Sequence, residues 1–447
     1  MTGFSETQRQ SVHIAMGAFA LALRVLSTWQ AAACALMALL VNVLLLPRWF
    51  GDRLFRPGER GHRGLDGIVF YPLAVMVVIL LFPTRPDIAA AAWGILAVGD
   101  GAATLVGRRL GGLRWPWHPT KTVVGSVTLA VAGGAAALAL TWWTIPALDT
   151  RPSWTYVLIA PFIAAGVAAL VESLPVALDD NLSVPFSAAA VLWTCSLVSA
   201  EAWRLAWPAV ADRLPIAVVV NAVSASLAWR AGTVSRGGAV AGALIGVAVW
   251  AGAGPAAWTL LLATFGVASL TSRVGHRRKA ALGIAEDRDG RRGPGNAIAN
   301  CLVAAVAALL GSASGHQGLA LLALTAALTA GASDTAASEL GKAWGRQAFL
   351  VTRLARVPAG TPGAVSVEGT AAGLVTAFAL SALGAALGLI PPSFVWVVVL
   401  AATVACFVES ALGATLEGPG ILNNDVLNFL NTAVSAFVAV AVGSHLG

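Results

Sequence analysis

Charge is scarce in this sequence. Only 11% of its 447 residues are Asp, Glu, Lys or Arg. Soluble domains carry about 25%, so an ordinary soluble enzyme is excluded. Cysteine is scarce as well: Cys34, Cys195, Cys301 and Cys406 stand far apart in apolar stretches, without a C-x-x-C or a Cys/His cluster. That pattern predicts neither a disulfide framework nor a zinc site, but small thiols buried among helices. Disorder is excluded too, because it requires low hydrophobicity. Here 58% of the residues are hydrophobic and the mean hydropathy is +0.80.

What is present is a succession of apolar runs. They cover 14–30, 31–47, 67–83, 88–106, 122–145, 154–178, 186–200, 214–229, 237–252, 256–272, 297–311, 318–333, 365–390, 393–416 and 426–444. With about 20 residues per crossing, this predicts an all-α polytopic integral membrane protein of roughly 12–15 transmembrane helices. The 47 glycines fit helices that approach closely through small faces. Trp115/Trp117 and Trp142/Trp143 read as interfacial anchors. The first run ends near Ala31-Ala32-Ala33 like a leader, but Arg24 interrupts it and the next run continues to Leu46, so no cleavage is expected.

The net charge of +7 is unevenly spread. Of 28 Lys and Arg, 20 lie in four short loops, 48–66, 107–121, 273–292 and 342–356. The positive-inside rule places those loops in the cytoplasm, and in a bacterium the protein in the cytoplasmic membrane. The basicity is thus assigned to topology and phosphate binding, and no nucleic-acid partner is expected.

An internal repeat organises the polar residues. G-D-G-A-A-T-L-V-G-R-R-L-G (99–111) aligns without a gap with S-D-T-A-A-S-E-L-G-K-A-W-G (333–345), pairing Asp100 with Asp334, Gly107 with Gly341, and Gly111 with Gly345. Further on, T-V-V-G-S (122–126) pairs with S-V-E-G-T (366–370). Each half then has Val-Glu-Ser, at Glu172 and Glu409, and a polar cluster, Asp179-Asp180-Asn181 or Asn423-Asn424-Asp425. Two homologous helical bundles follow, 1–212 and 213–447.

Carboxylates in membrane segments are costly and functional by default. Asp100 and Asp334 are candidate metal ligands and, with Glu172, Asp179, Asp180 and Glu409, candidate catalytic residues; Glu339, aligned with Leu105, serves a structural link equally well. An acid followed by small residues and then Gly-Arg or Gly-Lys suits Mg²⁺ together with a phosphate chain, since Mg²⁺ typically takes one or two carboxylates plus substrate phosphates. Gly107, Gly111, Gly125, Gly341 and Gly369 would let backbone approach phosphate, with Ser126, Thr370 and Asn424 nearby. Arg108, Arg109, Lys121, Lys342 and Arg353 would neutralise it. Positioning and charge neutralisation of that kind carry nucleotide phosphoryl transfer. Neither a P-loop nor a kinase glycine loop occurs.

At these residues a resemblance becomes specific. The first half resembles the dolichol kinase/phytol kinase family of CTP-dependent polyprenol kinases. The matching residues are Glu6-x-x-Arg9-x-x-x-His13-x-x-x-Gly17, Gly67, Tyr71-Pro72, the 99–111 motif, K-T-V-V-G-S (121–126) and E-S-L-P-V-A-L-D-D-N-L-S-V-P (172–185). The second half resembles the phytyl-phosphate kinase membrane family. It matches through G-T-V-S-R-G-G-A (232–239), A-S-D-T-A-A-S-E-L-G (332–341), V-P-A-G-T-P-G-A-V-S-V-E-G-T (357–370), E-S-A-L-G-A-T-L-E (409–417) and N-N-D-V-L-N-F-L-N (423–431).

The resemblance implies a tandem enzyme. The first half would phosphorylate an isoprenoid alcohol from CTP or a related nucleotide with Mg²⁺, and the second would convert the monophosphate to the diphosphate. An alcohol must lose a proton, so the first site needs a base, Asp179 or Asp180. A phosphate monoester is already ionised, and Asn423-Asn424-Asp425 is correspondingly less acidic. Three positions depart from the families' patterns: Val124 stands where an acid is common, Lys121 aligns with Val365, and Ala336 replaces a frequent Trp. Two competing readings remain. A CTP-dependent lipid cytidylyltransferase would need an acidic H-G-G-x-x-D-R-x-D signature that is lacking here. A secondary transporter would share the repeats and intramembrane acids.

Overall fold

A backbone crossing hydrocarbon must satisfy its own polar groups, and with so few charges to place, the chain does so as helices. The computed structural model describes residues 6–45, 48, 67–176, 178–275, 278–279, 291–418 and 420–446. Residues 49–66 and 280–290, most of two of the basic loops, lie outside them. The helices form two units, Met1–Leu197 and Val198–Gly447.

In the first unit, α1 (Glu6–Met16) runs into a 3-10 turn (Gly17–Arg24), and α2 (Thr28–Leu44) starts at a capping box of Ser27 and Gln30. There follow α3 (Gly67–Leu81), α4 (Pro86–Leu110), α5 (Val123–Ala147), α6 (Trp154–Ser173) and α7 (Asp180–Ser196). The second unit has α8 (Ala200–Arg230), α9 (Arg236–Arg273), α10 (Pro294–Ser314), α11 (Gln317–Trp344), α12 (Val367–Ala386), α13 (Pro392–Glu417) and α14 (Asn424–Leu446). Among the described residues ten of these helices are long and apolar enough to cross a membrane, with α2 and α3 shorter. The chain is an all-α integral membrane protein.

α9 doubles back. Gly238 abuts Arg292, and the Arg292 guanidinium donates to the Ala268 carbonyl at 3.1 Å. A straight helix would hold residues 238 and 268 about 45 Å apart. The reversal sits at Gly254, whose φ of 86° and ψ of −179° suit glycine alone, followed by Pro255. The two limbs match the separate apolar runs expected at 237–252 and 256–272.

α4 and α11 are the central helices. In each, 72% of the most apolar stretch is buried, against 17–44% for the other spans. Their neighbours reach them through glycine: Gly99 faces Gly133, Gly107 faces Gly125, and Gly341 faces Gly369. Such contacts bring backbones together where hydrocarbon offers no hydrophobic drive. Two widened π turns meet at the first crossing, Ile95–Asp100 in α4 and Leu129–Gly133 in α5. The start of α4 is pinned by a fully buried Asp87, which accepts both forks of Arg85 at 2.8 Å and the Tyr156 hydroxyl at 2.9 Å.

The repeat is visible in local geometry. Thr122 and Ser366 cap α5 and α12, each accepting from the glycine N–H three residues on at 3.1 Å. Asp179 and Asn423 likewise accept backbone N–H groups at the starts of α7 and α14. The longer connector of the second copy builds a three-stranded antiparallel sheet, β1 (Ala348–Leu350), β2 (Arg356–Val357) and β3 (Ala364–Ser366), in the order β2-β1-β3. One isolated bridge, Arg114 to Thr122, stands at the corresponding place in the first copy.

The expected boundary at 212/213 falls inside α8, and the units divide at 197/198. Asp212, Arg213, Pro208 and Pro215 all lie within that helix. The helix runs through them, because a proline removes one hydrogen bond without ending a helix that its neighbours support.

Gly254→Ala should lower the thermal unfolding temperature of the detergent-solubilised protein, at a cost of about 1–3 kcal/mol for the forced backbone. Gly266→Ala, on the second limb with open space around it, should instead gain about 0.5–1 kcal/mol. Equal effects from the two would contradict the reversal.

Candidate functional site

In the first unit the π turn of α4 ends on Asp100, while Glu172 lies near the end of α6 and Asp180 opens α7. These three carboxylates offer oxygens within 4.8 Å of one another. The α4–α5 connector turns back over them. Lys121 places its ammonium on Glu172 and on Asp180, the latter at 2.7 Å. Burial by itself pushes that ammonium down, but the Glu172 and Asp180 charges outweigh it and hold Lys121 above the ordinary lysine range. Three hard oxygen donors in reach of one point are the donor set of a magnesium-type cation.

His13 of α1 joins the cluster. Its Nε2 lies 3.6 Å from Asp100 Oδ2 and 3.1 Å from the Leu96 carbonyl. The Tyr71 ring meets the imidazole edge-on at 4.7 Å, and Trp93 donates to the Tyr71 hydroxyl at 2.8 Å. Burial pushes the His13 imidazole below its usual value, although the Leu96 carbonyl pulls it upward. His13, which the sequence offered only as part of the N-terminal motif, thus stands beside Asp100.

Other expected residues divide between frame and rim. Gly107 and Gly125 form the helix crossing, and Ser126 accepts from the Trp115 indole at 2.9 Å. Trp115 stacks on Trp117 at 4.7 Å, and Trp117 donates to Ser173 at 3.4 Å. The pair therefore ties the connector to α5 and α6. Arg108 and Arg109 are exposed at the end of α4, where Gly111 at φ 60° turns the chain. Asp179 commits Oδ1 to the Asn181 backbone and side-chain amides.

The second unit repeats the frame with a different charge pattern. Asp334 and Glu409 lie side by side, with Asn431 next to Glu409. Asn431 is 1% exposed, and neither its Oδ1 nor its Nδ2 forms a well-aligned hydrogen bond among the described residues. Ser333 and Cys406 adjoin at 3.6 Å. Asn424, at the place of Asp180, is exposed at the start of α14. Gly345 ends α11, Gly369 and Thr370 occupy the first turn of α12, and Arg353 is exposed between β1 and β2.

Glu339 resolves as a structural link. It is buried against Lys279, whose ammonium also donates to the Ser272 carbonyl at 2.8 Å, and Lys342 approaches it at 3.3 Å. Lys279 was not singled out in the sequence, because it sits in a basic stretch assigned to topology, and Asn431 stood there only as the last residue of the 423–431 motif, without a role.

Comparison with known proteins agrees with this architecture. Residues 219–436 match a family model described as integral membrane protein DUF92. An uncharacterized membrane protein of Synechocystis sp. is 43% identical over 202 residues, covering 44% of this chain and 78% of that protein. Protein VTE6 of Arabidopsis thaliana chloroplasts is 38% identical over 213 residues, 46% of this chain and 64% of that one. Phytol kinase 1 of Arabidopsis thaliana chloroplasts is 31% identical over 130 residues, 29% of this chain and 43% of that kinase. No solved structure matches. By the family model and by its coverage of the Synechocystis protein, the chain belongs to the DUF92 family of integral membrane proteins.

Proposed function

We propose that the chain is a tandem membrane lipid kinase, in which the first unit phosphorylates an isoprenoid alcohol and the second phosphorylates the resulting monophosphate. The observation that carries this reading is the Asp100–Glu172–Asp180 cluster with Lys121, gathered at the π turn within the central helix of its unit. The Asp334–Glu409 pair supports it from the corresponding place in the second. Likeness to a protein named phytol kinase adds weight for the alcohol class.

In the first unit Asp100 and Glu172 would hold Mg²⁺, with the Asp180 carboxylate beside them. When bound there with a nucleoside triphosphate such as CTP, the cation neutralises charge on the phosphates. The alcohol oxygen attacks the γ-phosphorus, the new O–P bond forms, and the bond to the β–γ bridging oxygen breaks to release a nucleoside diphosphate. The hydroxyl proton passes to a carboxylate. Asp180 faces the cluster, whereas Asp179 is engaged in the helix cap, so Asp180 is the base this geometry favours. The second unit has an asparagine at that position, consistent with an acceptor that needs no deprotonation. Basic loops at the connectors would bring the nucleotide from the cytoplasmic side.

Three outcomes test the reading with purified protein, γ-labelled CTP, Mg²⁺ and farnesol or phytol. Asp100→Asn should reduce monophosphate formation by at least about 10²-fold, while Asp334→Asn should let monophosphate accumulate without diphosphate. Release of pyrophosphate would replace the kinase with a cytidylyltransferase, and unlabelled lipid across acceptors and nucleotides would direct attention to transport. Asp180→Asn should remove most alcohol phosphorylation and Asp179→Asn little, since asparagine caps a helix as well as aspartate does. The reverse order would move the base to Asp179. Finally, Mn²⁺ bound to the first unit, followed by electron paramagnetic resonance, should weaken about 10-fold or more in Glu172→Gln. Unchanged binding would remove the cation from that cluster.

A further inference from the structure

The second unit contains a cavity of about 160 Å³ that the acid pair does not use. It lies between α8, both limbs of α9, α10 and α11. Ile245, Leu261, Phe265 and Leu328 make apolar walls, and Leu262, which is 47% exposed, carries the lining out to the surface of the unit. One pole is polar. Arg292, Asn296 and Asn300 line it, and among the described residues Arg292 is the one charged residue on the lining. The guanidinium is braced by Asn296 at 3.0 Å and by the Ala268 carbonyl and Ser272 hydroxyl at the end of α9. Asn300 donates to the Asn296 carbonyl at 3.0 Å, leaving its Oδ1 buried without a partner among the described residues.

The polar pole faces the central helix. Asn300 packs on Gly331, where any side chain would strike its Oδ1. Gly331 precedes Asp334 by three residues, which is about 4.5 Å along the helix axis. The cavity thus combines an apolar slot, a surface opening, a single fixed cation with an unfilled acceptor, and proximity to the acidic pair.

We propose that this cavity binds the lipid acceptor of the second unit: an isoprenyl chain in the slot, its phosphate monoester head against Arg292 and Asn300. The inference rests on the kinase reading for its place in the reaction, but the binding site stands on its own geometry. Arg292 pairs with the anionic head, and Asn300 Oδ1 accepts from the protonated oxygen of the monoester. Carbon branches lie against Ile245, Leu261 and Phe265.

Two measurements on the full chain in detergent, without nucleotide, test this. Farnesyl monophosphate should slow alkylation of Cys301, a lining residue, by a permeant maleimide at least about 5-fold, followed by mass spectrometry. Farnesol and phosphatidic acid at the same concentration should protect less than half as well. A side chain at Gly242 has nothing within 4 Å and projects from the lining. Binding of radiolabelled farnesyl monophosphate should therefore weaken stepwise through Gly242→Ala, Gly242→Leu and Gly242→Phe, by at least about 30-fold in the last, with the unfolding temperature retained.

Equal protection by phosphatidic acid would make this a general phospholipid site, and equal protection by farnesol would remove the role of Arg292; either overturns the proposal. Diphosphate formation with unchanged KM for farnesyl monophosphate in Gly242→Phe would overturn it while leaving the kinase reading intact. Protected Cys301 with no diphosphate from any nucleoside triphosphate would do the opposite.

Discussion

Two central helices can hold carboxylates only because their neighbours come close enough to seal them. In the first unit the approach is made by Gly107 against Gly125 and Gly99 against Gly133; in the second Gly341 meets Gly369. A methyl group at any of these places would press on the facing backbone or on the hydroxyl that caps the next helix. The crossing fixes where α5 and α12 begin, the caps Thr122 and Ser366 fix how they begin, and the connectors are thereby drawn back over the acids. Site geometry in both units follows from backbone contact more than from side-chain packing, as expected where lipid tails compete equally for apolar surface.

The copies then solve the same electrostatic problem with different residues. Isolated charge in an apolar surround costs several kcal/mol. In the first copy three carboxylates gather, and Lys121 reaches in from the connector to offset two of them. In the second copy Val365 stands at that place, an asparagine replaces one acid, and cations come from elsewhere: Lys342 from α11 itself and Lys279 from a loop, both on Glu339. Glu339 and its lysines are thus a paired addition near a thinner acidic site, and their presence explains how an extra acid is tolerated beside Asp334.

Much of this was legible because membrane sequences spend polar residues sparingly. The order of acid, glycine and basic positions pointed to a duplication, and Thr122 and Ser366, like Asp179 and Asn423, cap their helices in the same way. The break between apolar runs near Gly254 was equally plain. What stayed hidden depends on distance. His13 and Asp100 are 87 positions apart in the chain, and no periodicity joins them; only the folded helix pair does. Lys279 looked like one more basic loop residue. The π turns leave no compositional trace, and the boundary expected at 212/213 falls within a continuous α8.

The reversal at Gly254 has a topological meaning. It returns the end of α9 to the level at which the helix began, since Gly238 and Ala268 both meet Arg292. One glycine therefore sets the parity of the unit. Read as a single long crossing, α9 would deliver the chain to the opposite face of the bilayer, and every later connector would exchange sides, including the sheet-bearing one that leads into α12. Read as two limbs, it keeps the first residues of α9 and α10 at one level. The sidedness of half the molecule is thus decided by a residue that carries no charge and no side chain.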